Sequence, residues 1–257
     1  MNMSVNPSPD TLSLGGFPLL RTTATELAQQ LQRALETGDT HTLFFANTNF
    51  IVKCQPMKEA MSEPRTLIVN DGIGVDIATW LVHRRKFPQN LNGTDFTPQY
   101  LHSVRGKARV FLFGGKPGIA QRAADTLKKD FDVEVVGTCD GYEQGRDPEK
   151  VITAINAAEA NIVLVAMGNP MQEQWILDNR QHTTATVFIG VGALLDFLAG
   201  DKPRAPRLVQ SLRLEWLYRL CLEPTRLMRR YTIDIAVFLA LCLRAGKQQP
   251  ARVPVQD

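Results

Sequence analysis

Short apolar runs alternate with stretches of helical periodicity along most of the chain. The runs that predict β-strands are Thr42 to Ala46, Thr66 to Val69, Arg109 to Phe113, Val133 to Val136, Asn161 to Ala166 and Thr186 to Gly190. Apolar residues at helical spacing predict helices within residues 24–38, 118–130, 147–160 and 170–181. Apolar strands that alternate with helices indicate an α/β fold, in which helices cover both faces of a parallel sheet.

Two polar stretches interrupt this pattern. Residues 84–96, "RRKFPQNLNGTDF", predict the one long loop of the α/β region. The first ten residues, "MNMSVNPSPD", indicate a loose N-terminal tail, and they lack the basic start and apolar core of a signal peptide. We therefore expect no secretion signal in this segment.

The charge of the chain is concentrated in its last part. The 257 residues carry a net charge of +3, but from Asp201 onward eleven Lys and Arg stand against five acidic residues, a net charge of +6 that leaves −3 for the rest. The apolar residues at helical spacing in this part are Leu208, Leu212, Trp216 and Leu220. We therefore expect an α/β body in residues 1–200 and a basic, amphipathic helical tail in residues 201–257.

The composition of this tail favours an anionic membrane surface as its partner. Basic residues are attracted to anionic lipid, while apolar residues insert at the interface. The apolar centre "IAVFLALCL" is too short to span a bilayer, which takes roughly 20 residues. A lid over the body and a contact in a homo-oligomer remain alternatives. Nucleic acid is not expected, since the basic residues are interleaved with Leu, Phe and Ile rather than with exposed stacking aromatics.

The residue types that commonly bind metals in proteins are dispersed along this sequence. The four cysteines show no C-x-x-C spacing, so we expect reduced cytoplasmic thiols rather than a zinc site or a disulfide framework. The four histidines are scattered, and no D-x-D triplet follows a strand. The sequence therefore predicts neither a metal site nor a cofactor.

Three predicted strands run into turns of unusual composition, "NDGIG", "GGKPG" and "MGNPMQEQW". Ligands of parallel sheets bind beyond the carboxyl ends of the strands. In the second turn, Gly114 and Gly115 free the backbone to hold phosphate, Lys116 adds a cation, and Pro117 suits the first position of a helix. The composition of this turn predicts a diphosphate-binding site. A tight turn that needs its glycines for packing is the alternative.

An acid in "GTCDGY" keeps a second class of enzyme open. Asp140 follows a predicted strand, where a dinucleotide-binding protein places the acid that holds the ribose. An NAD-dependent oxidoreductase is therefore one candidate function. Against this candidate, the glycines do not follow the G-x-G-x-x-G spacing. A uridine or adenine diphosphate sugar would also use the same diphosphate-binding turn and the same acid.

Six segments together resemble a known family. They are "NDGIG", "FGGKPG", "MGNPMQEQW", "GVGALLDFLAG", "RAPRLVQSLRLEWLYRLCLEP" and "RLMRRY". In this order and spacing, from about Leu43 to Tyr231, the chain resembles the WecG/TagA/CpsF family of bacterial glycosyltransferases. The resemblance implies a Rossmann-like fold with a C-terminal helical appendage. It also implies transfer of a sugar from a UDP-sugar to a monosaccharide linked through diphosphate to a polyprenol, with inversion and without a metal.

The resemblance also suggests roles for single residues. Asp71 matches the Asp that is the proposed catalytic base, and a carboxylate there could take the proton from the attacking hydroxyl. The alternative is that Asp71 only ends a strand and caps the helix that begins near Ile73. Asp76, one turn further on, is expected to interact with the helix dipole.

Other positions match the family unevenly. Gln172 would bind substrate or nucleotide, unless it is an exposed residue of a first helical turn. Asn47 matches the Asn of a T-x-N turn in which Phe45 replaces the Thr. An Arg found in several relatives is missing, with Asn90 near its place. The arginines that are candidates to reach the diphosphate of the substrate are Arg213, Arg219 and Arg226.

These departures bear on which sugar is transferred. Within the family, the missing Arg favours the xanthan-type enzyme, which adds the second glucose to glucosyl-diphosphate-polyprenol in exopolysaccharide synthesis. An N-acetylmannosaminyl or N-acetylmannosaminuronyl transferase is the alternative. The expected location is peripheral, on the inner face of the cytoplasmic membrane.

Overall fold

The computed structural model describes residues 10–206, 209, 215–222 and 224–247, with the backbone alone described at 219, 226, 227, 229–231, 246 and 247. The strands are β1 (Thr11–Leu14), β2 (Phe17–Leu20), β3 (His41–Ala46), β4 (Thr66–Asn70), β5 (Val110–Gly114), β6 (Val135–Cys139), β7 (Ile162–Ala166) and β8 (Val187–Gly190). The helices are α1 (Ala24–Thr37), α2 (Thr48–Lys53), α3 (Ile73–His83), α4 (Gly93–Ser103), α5 (Ile119–Phe131), α6 (Pro148–Ala157), α7 (Met171–Asn179), α8 (Leu194–Leu198), α9 (Glu215–Leu222) and α10 (Pro224–Lys247).

Six parallel strands form the central sheet in the order β4-β3-β8-β7-β5-β6. This confirms the predicted α/β fold, which is Rossmann-like. The four central strands consist almost entirely of buried residues, which explains why continuous apolar runs identified them. The edge strand β6 is more exposed, and it begins at Val135 rather than at the predicted Val133. Val133 lies instead in the turn after α5, where its N–H donates to the carbonyl of Leu127.

Two parts of the sequence fold differently from the prediction. β1 and β2 form an antiparallel hairpin that the sequence reading missed, with Leu14, Phe17 and Leu19 fully buried. Its signal was apolar alternation on both sides of Gly15 and Gly16. The predicted long loop is shorter than expected, because α4 begins at Gly93.

Helices cover both faces of the sheet. One hydrophobic cluster includes residues of α1, α4, α5 and α8, and the other includes residues of α2, α3, α6, α7 and α10. The neighbouring strands β7 and β5 are followed by α7 and α5, which pack on opposite faces. In the same way, the neighbouring strands β3 and β8 are followed by α2 and α8, which pack on opposite faces. Such divergence opens a crevice at the carboxyl ends of the strands, where ligands of this fold bind.

The last helix packs on the body. α10 contacts α2, α3 and β1, and its Phe238 and Cys242 are each only 1% exposed. Burial raises the pKa of the Cys242 thiol to about 12. Arg204, before α9, bonds to Asp95 in the first turn of α4. Within the described ranges, no helix has the length and apolar character needed to cross a membrane.

Candidate active site

The turn between β4 and α3 places Asp71 at the carboxyl edge of the sheet. The Asp71 N–H continues the ladder by donating to the carbonyl of Ala46, 2.9 Å away. Gly72 then adopts φ 93° and ψ 159°, a conformation that L-residues rarely adopt, and it occupies the N-cap position of α3 without a side-chain capping bond. Gly72 rather than Asp71 therefore occupies the N-cap position of α3, and Asp71 is partly exposed.

The second glycine of "NDGIG" serves a different purpose. A Cβ on Gly74 would lie 2.7 Å from Cγ2 of Thr48, the first residue of α2. The N-termini of α2 and α3 thus approach each other closely beside Asp71. Both helix ends carry partial positive charge, which favours an anionic group between them.

Asn47 links the ends of β3 and β4. Its side-chain oxygen accepts from the N–H of Phe50 at 3.1 Å and so caps α2. Its amide nitrogen donates to Oδ2 of Asp71 at 3.5 Å. The structure therefore brings together two residues that the sequence had singled out separately, 24 positions apart.

The loop that follows α3 fixes the same turn from the other side. Oδ1 of Asn90 accepts from the N–H of Gly72 at 2.7 Å, and the N–H of Leu91 donates to the carbonyl of Asn70. The Asn70 amide in turn donates to Asp76 at 2.8 Å. In the sequence, Asn90 is notable only because it lies near the place of the missing Arg. The structure shows that Asn90 also holds the turn that carries Asp71.

Phe45 has a packing role. It is 7% exposed and lies in the core against Phe96 of α4, with ring centroids 6.1 Å apart. The Phe that replaces the Thr of the T-x-N turn therefore stabilises the helix that follows the Asn90 loop.

Gln172 organises two loops at the centre of the edge. It is 4% exposed, so the alternative of an exposed first-turn residue is wrong. Its Oε1 accepts from the N–H groups of Gly168 and Gly192, at 3.2 and 3.0 Å. Gln172 thereby joins the loop after β7 to the loop after β8.

Glu173, which sequence reasoning passed over, is the most buried acid of this region, at 1% exposure. Its Oε1 accepts from the amides of Asn169 and Gln172, at 2.6 and 2.7 Å. Asn169 also accepts from Asn49 at 3.4 Å, which connects this loop to α2. Burial raises the pKa of Glu173, although the hydrogen bonds from Gln172, Asn169 and the Cys54 thiol oppose that shift.

The "GGKPG" turn after β5 is packed tightly. A Cβ on Gly114 would lie 2.3 Å from the carbonyl oxygen of Ala166, and the N–H of Gly115 donates to that same oxygen. Gly114 is therefore needed for packing against β7, and a Cβ on Gly115 would lie 2.7 Å from the side chain of Ile119 in α5, so both glycines have the packing role of the alternative interpretation. Lys116 is exposed. Pro117 lies two residues before α5 rather than at its first position.

Asp140 anchors the loop after β6. Its Oδ1 accepts from the N–H groups of Tyr142, Glu143 and Gln144, at 2.8, 2.7 and 3.4 Å. Partial burial disfavours its charge, but these backbone bonds outweigh the burial and hold the pKa of Asp140 below its usual value. The N–H of Gly141 donates to the carbonyl of Gly115, so the loops after β5 and β6 are joined.

The candidate residues therefore follow the carboxyl edge from β4 to β6. Asp71 and Gly114 are separated by four strand spacings, roughly 19 Å at about 4.8 Å each. Arg213 lies outside the described residues, as do the side chains of Arg219 and Arg226. Among the residues that the structure describes, no group of three or more His, Cys, Asp or Glu could hold a metal ion.

The fold and this edge define a Rossmann-like α/β protein with acids at the carboxyl ends of its strands, where ligands of this fold bind. Residues 12–252 match the glycosyl transferase WecG/TagA/CpsF family, and the chain belongs to that family. Since this family consists of glycosyltransferases, the protein is a glycosyltransferase of polysaccharide synthesis, which uses a sugar donor and a sugar acceptor. This decides against the oxidoreductase and nucleic-acid-binding alternatives.

Proposed function

We propose that the protein is an inverting, metal-independent glycosyltransferase that moves a sugar from a UDP-sugar to a monosaccharide linked through diphosphate to a polyprenol. The observation that carries this proposal is the position of Asp71. It is a partly exposed carboxylate beside two helix N-termini, and Gly72 rather than Asp71 occupies the capping position of α3. Family membership supplies the sugar-transfer chemistry that such a carboxylate can serve.

In the proposed reaction, Asp71 takes the proton from the acceptor hydroxyl while the hydroxyl oxygen bonds to the anomeric carbon of the donor. The bond from that carbon to the diphosphate oxygen breaks on the opposite face, and its electron pair leaves with UDP. The configuration at the anomeric carbon is therefore inverted. Asn47 holds the carboxylate through the bond from its amide to Oδ2.

The length of the donor limits where each of its parts can lie. A diphosphate spans far less than the roughly 19 Å between the strand ends that carry Asp71 and Gly114. If the anomeric carbon is at Asp71, the diphosphate must lie over β3, β8 and β7. The nucleoside then extends towards Gly114, Gly115, Lys116 and Asp140. This revises our expectation that the "GGKPG" turn holds the diphosphate itself.

The charge that develops on the departing diphosphate needs positive partners. The N-termini of α2 and α3 supply partial charges on the Asp71 side of the edge. In our proposal, the arginines of the tail, with Arg213, Arg219 and Arg226 as candidates, supply full charges when the tail closes over the site. Gln172 contributes by keeping the loops after β7 and β8 in place beneath the donor.

We propose glucose as the transferred sugar and a peripheral location on the inner face of the cytoplasmic membrane, in exopolysaccharide synthesis of the xanthan type. The absence of the family's Arg, whose place Asn90 takes, supports a donor without a carboxylate. Transfer of N-acetylmannosamine or N-acetylmannosaminuronic acid is the alternative.

The test is a direct transfer assay. The protein is incubated with UDP-sugars and other nucleotide sugars, together with short-chain prenyl-diphosphate glucose, with and without a chelator. We expect the mass of the acceptor to increase by one hexose residue. NMR should show that the anomeric configuration of the transferred sugar is inverted, and the rate of transfer should be the same with and without chelator. Retention of configuration, or loss of the rate in chelator, would contradict the mechanism. Addition of an N-acetylated sugar alone would select the alternative donor.

A further inference from the structure

Helix α3 is apolar on the side that faces solvent as well as on the side that faces the core. Its inner residues Val75 and Ala78 are buried. We define its outer face as Ile73, Ile77, Trp80 and Leu81, whose side chains are 37%, 50%, 44% and 45% exposed. A surface helix normally carries polar residues on that side, and a helix that is apolar all round is normally covered.

Positive charge lies at one end of this outer face. Arg84 stacks over the ring of Trp80, with its guanidinium carbon 4.7 Å from the ring centroid, and Lys86 is exposed nearby in the sequence. The acid within α3, Asp76, is hydrogen-bonded to the buried Asn70. The arrangement is an apolar strip with a tryptophan and a basic end, which complements an anionic lipid surface.

The size of the strip argues against a second protein as its partner. α3 has 11 residues and is therefore about 16 Å long. A stable interface needs roughly 800 Å² from each partner, far more than the outer face of one short helix offers. Shallow insertion into a bilayer requires only a few apolar side chains beside basic ones.

The outer face is also continuous with the candidate active site. Ile73 follows Asp71 by two residues, and α10, the last helix of the tail, packs against α3. We propose that the outer face of α3 lies on an anionic bilayer, with Trp80 at headgroup depth and Arg84 and Lys86 on lipid phosphates. This places Asp71 at the membrane surface. The inference rests on the proposed function, because only a lipid-linked acceptor requires the site to open there.

The test uses the full chain and vesicles of phosphatidylcholine with and without phosphatidylglycerol. Ile77→Gln combined with Leu81→Gln makes the two most exposed residues of the outer face polar without changing the core. The matched control is Met171→Gln, which alters a side chain that is 61% exposed on α7. We expect the double variant to lower partition onto anionic vesicles by about tenfold and the control to leave it unchanged. Arg84→Gln with Lys86→Gln should weaken binding only to vesicles that contain phosphatidylglycerol.

A second measurement reports on α3 directly. Trp175→Phe and Trp216→Phe leave Trp80 as the sole tryptophan of the chain. Brominated lipid should quench its fluorescence in this background. Unchanged partition of the double variant, or an unquenched Trp80, would overturn the proposal. So would a shift of the double variant from dimer to monomer in sedimentation without a change in partition, because the face would then join two copies.

An activity measurement separates this inference from the proposed function. On a short, water-soluble prenyl-diphosphate acceptor without vesicles, the double variant should transfer sugar at the wild-type rate. If the wild type transfers no sugar to any acceptor, the proposed function fails while the vesicle results still decide the inference. If both proteins transfer sugar but bind vesicles equally, the inference alone fails.

Discussion

At the scale of single residues, the Asp71 turn depends on side chains that each make two contacts. Asn47 caps α2 with its oxygen and reaches Asp71 with its nitrogen. The capping bond from Phe50 is local, but the contact with Asp71 could not be derived from spacing alone, since it joins residues 24 positions apart. The family resemblance identified Asp71 and Asn47 as candidates, and Asp71 is also conspicuous in the sequence as a carboxylate directly after an apolar strand. The sequence could not identify the contact of Asn90, whose partner Gly72 lies 18 positions away, or the burial of Glu173, which depends on how the helices pack.

Asn47 allows its two contacts to be separated by substitution. Asn47→Ser retains a capping oxygen for α2 but removes the amide that donates to Asp71, so we expect near-normal thermal stability and a kcat lowered about tenfold. Asn47→Ala removes both contacts and should also cost about 1 kcal/mol of unfolding free energy. Thermal melts and steady-state kinetics on both variants check this. Equal kcat for Asn47→Ser and wild type would show that the bond to Asp71 has no catalytic role.

Glu173 predicts a pH dependence of stability. Because burial raises the pKa of Glu173 above its ordinary value of 4.5, folding favours the protonated form. The stability that this group contributes is fully present below pH 4.5 and is lost as the pH rises through the folded-state pKa. Glu173→Gln keeps an acceptor for Asn169 and Gln172 but cannot ionise.

We therefore expect the unfolding free energy of Glu173→Gln to decline less than that of wild type as the pH is raised from 4.5 to 8. Urea unfolding across this range is the measurement. Glu173→Ala is the control, since it leaves two buried amides without their acceptor and should be less stable at every pH. Parallel curves for wild type and Glu173→Gln would contradict the account.

At the scale of elements, the "NDGIG" motif joins a strand to a helix through two glycines with different physical requirements. Gly72 needs its backbone conformation, since nothing lies within 4 Å of the position of its missing Cβ. Gly74 needs the space occupied by the methyl group of Thr48. The sequence shows both glycines but cannot tell these requirements apart, because the second depends on how α2 packs against α3.

The two requirements predict different responses to substitution. Gly72→Ala should cost about 1–3 kcal/mol of unfolding free energy through backbone strain. Gly74→Ala should also destabilise, but adding Thr48→Ser removes the methyl group it meets and should restore stability. Chemical denaturation of the single and double variants checks this. Restored stability of Gly72→Ala on addition of Thr48→Ser would contradict the account. So would a failure of Thr48→Ser to restore the stability of Gly74→Ala.

At the scale of the whole molecule, the sequence predicted the parallel sheet because its buried strands are continuous apolar runs. The order of the strands could not be predicted in this way, and strand order determines that Asp71 and Asp140 lie at opposite ends of the carboxyl edge. The division into a body and a tail stays a prediction. The burial of Phe238 and Cys242 among body residues shows that α10 contributes to the core.

The contribution of α10 gives a prediction about the tail. Phe238→Ala should lower the unfolding free energy by about 3 kcal/mol or more, whereas Val237→Ala, at a position that is 42% exposed, should change it little.

A chain that ends before Arg204 should still fold, since all the described strands precede that point, but with lower stability. It should also bind vesicles more weakly, through the outer face of α3 alone, and lose most activity on long-chain acceptors. Full stability and activity of the shortened chain would show that the tail is dispensable.

The central claim, that Asp71 is the base of a sugar transfer, is tested most directly by the turnover of Asp71→Asn. Asn is nearly isosteric with Asp but cannot accept a proton, so the fold and the binding of UDP should be retained. We expect kcat on a prenyl-diphosphate acceptor to fall by roughly 100-fold or more, the usual contribution of a positioned base. A folded Asp71→Asn protein that binds UDP and turns over near the wild-type rate would remove Asp71 from the mechanism.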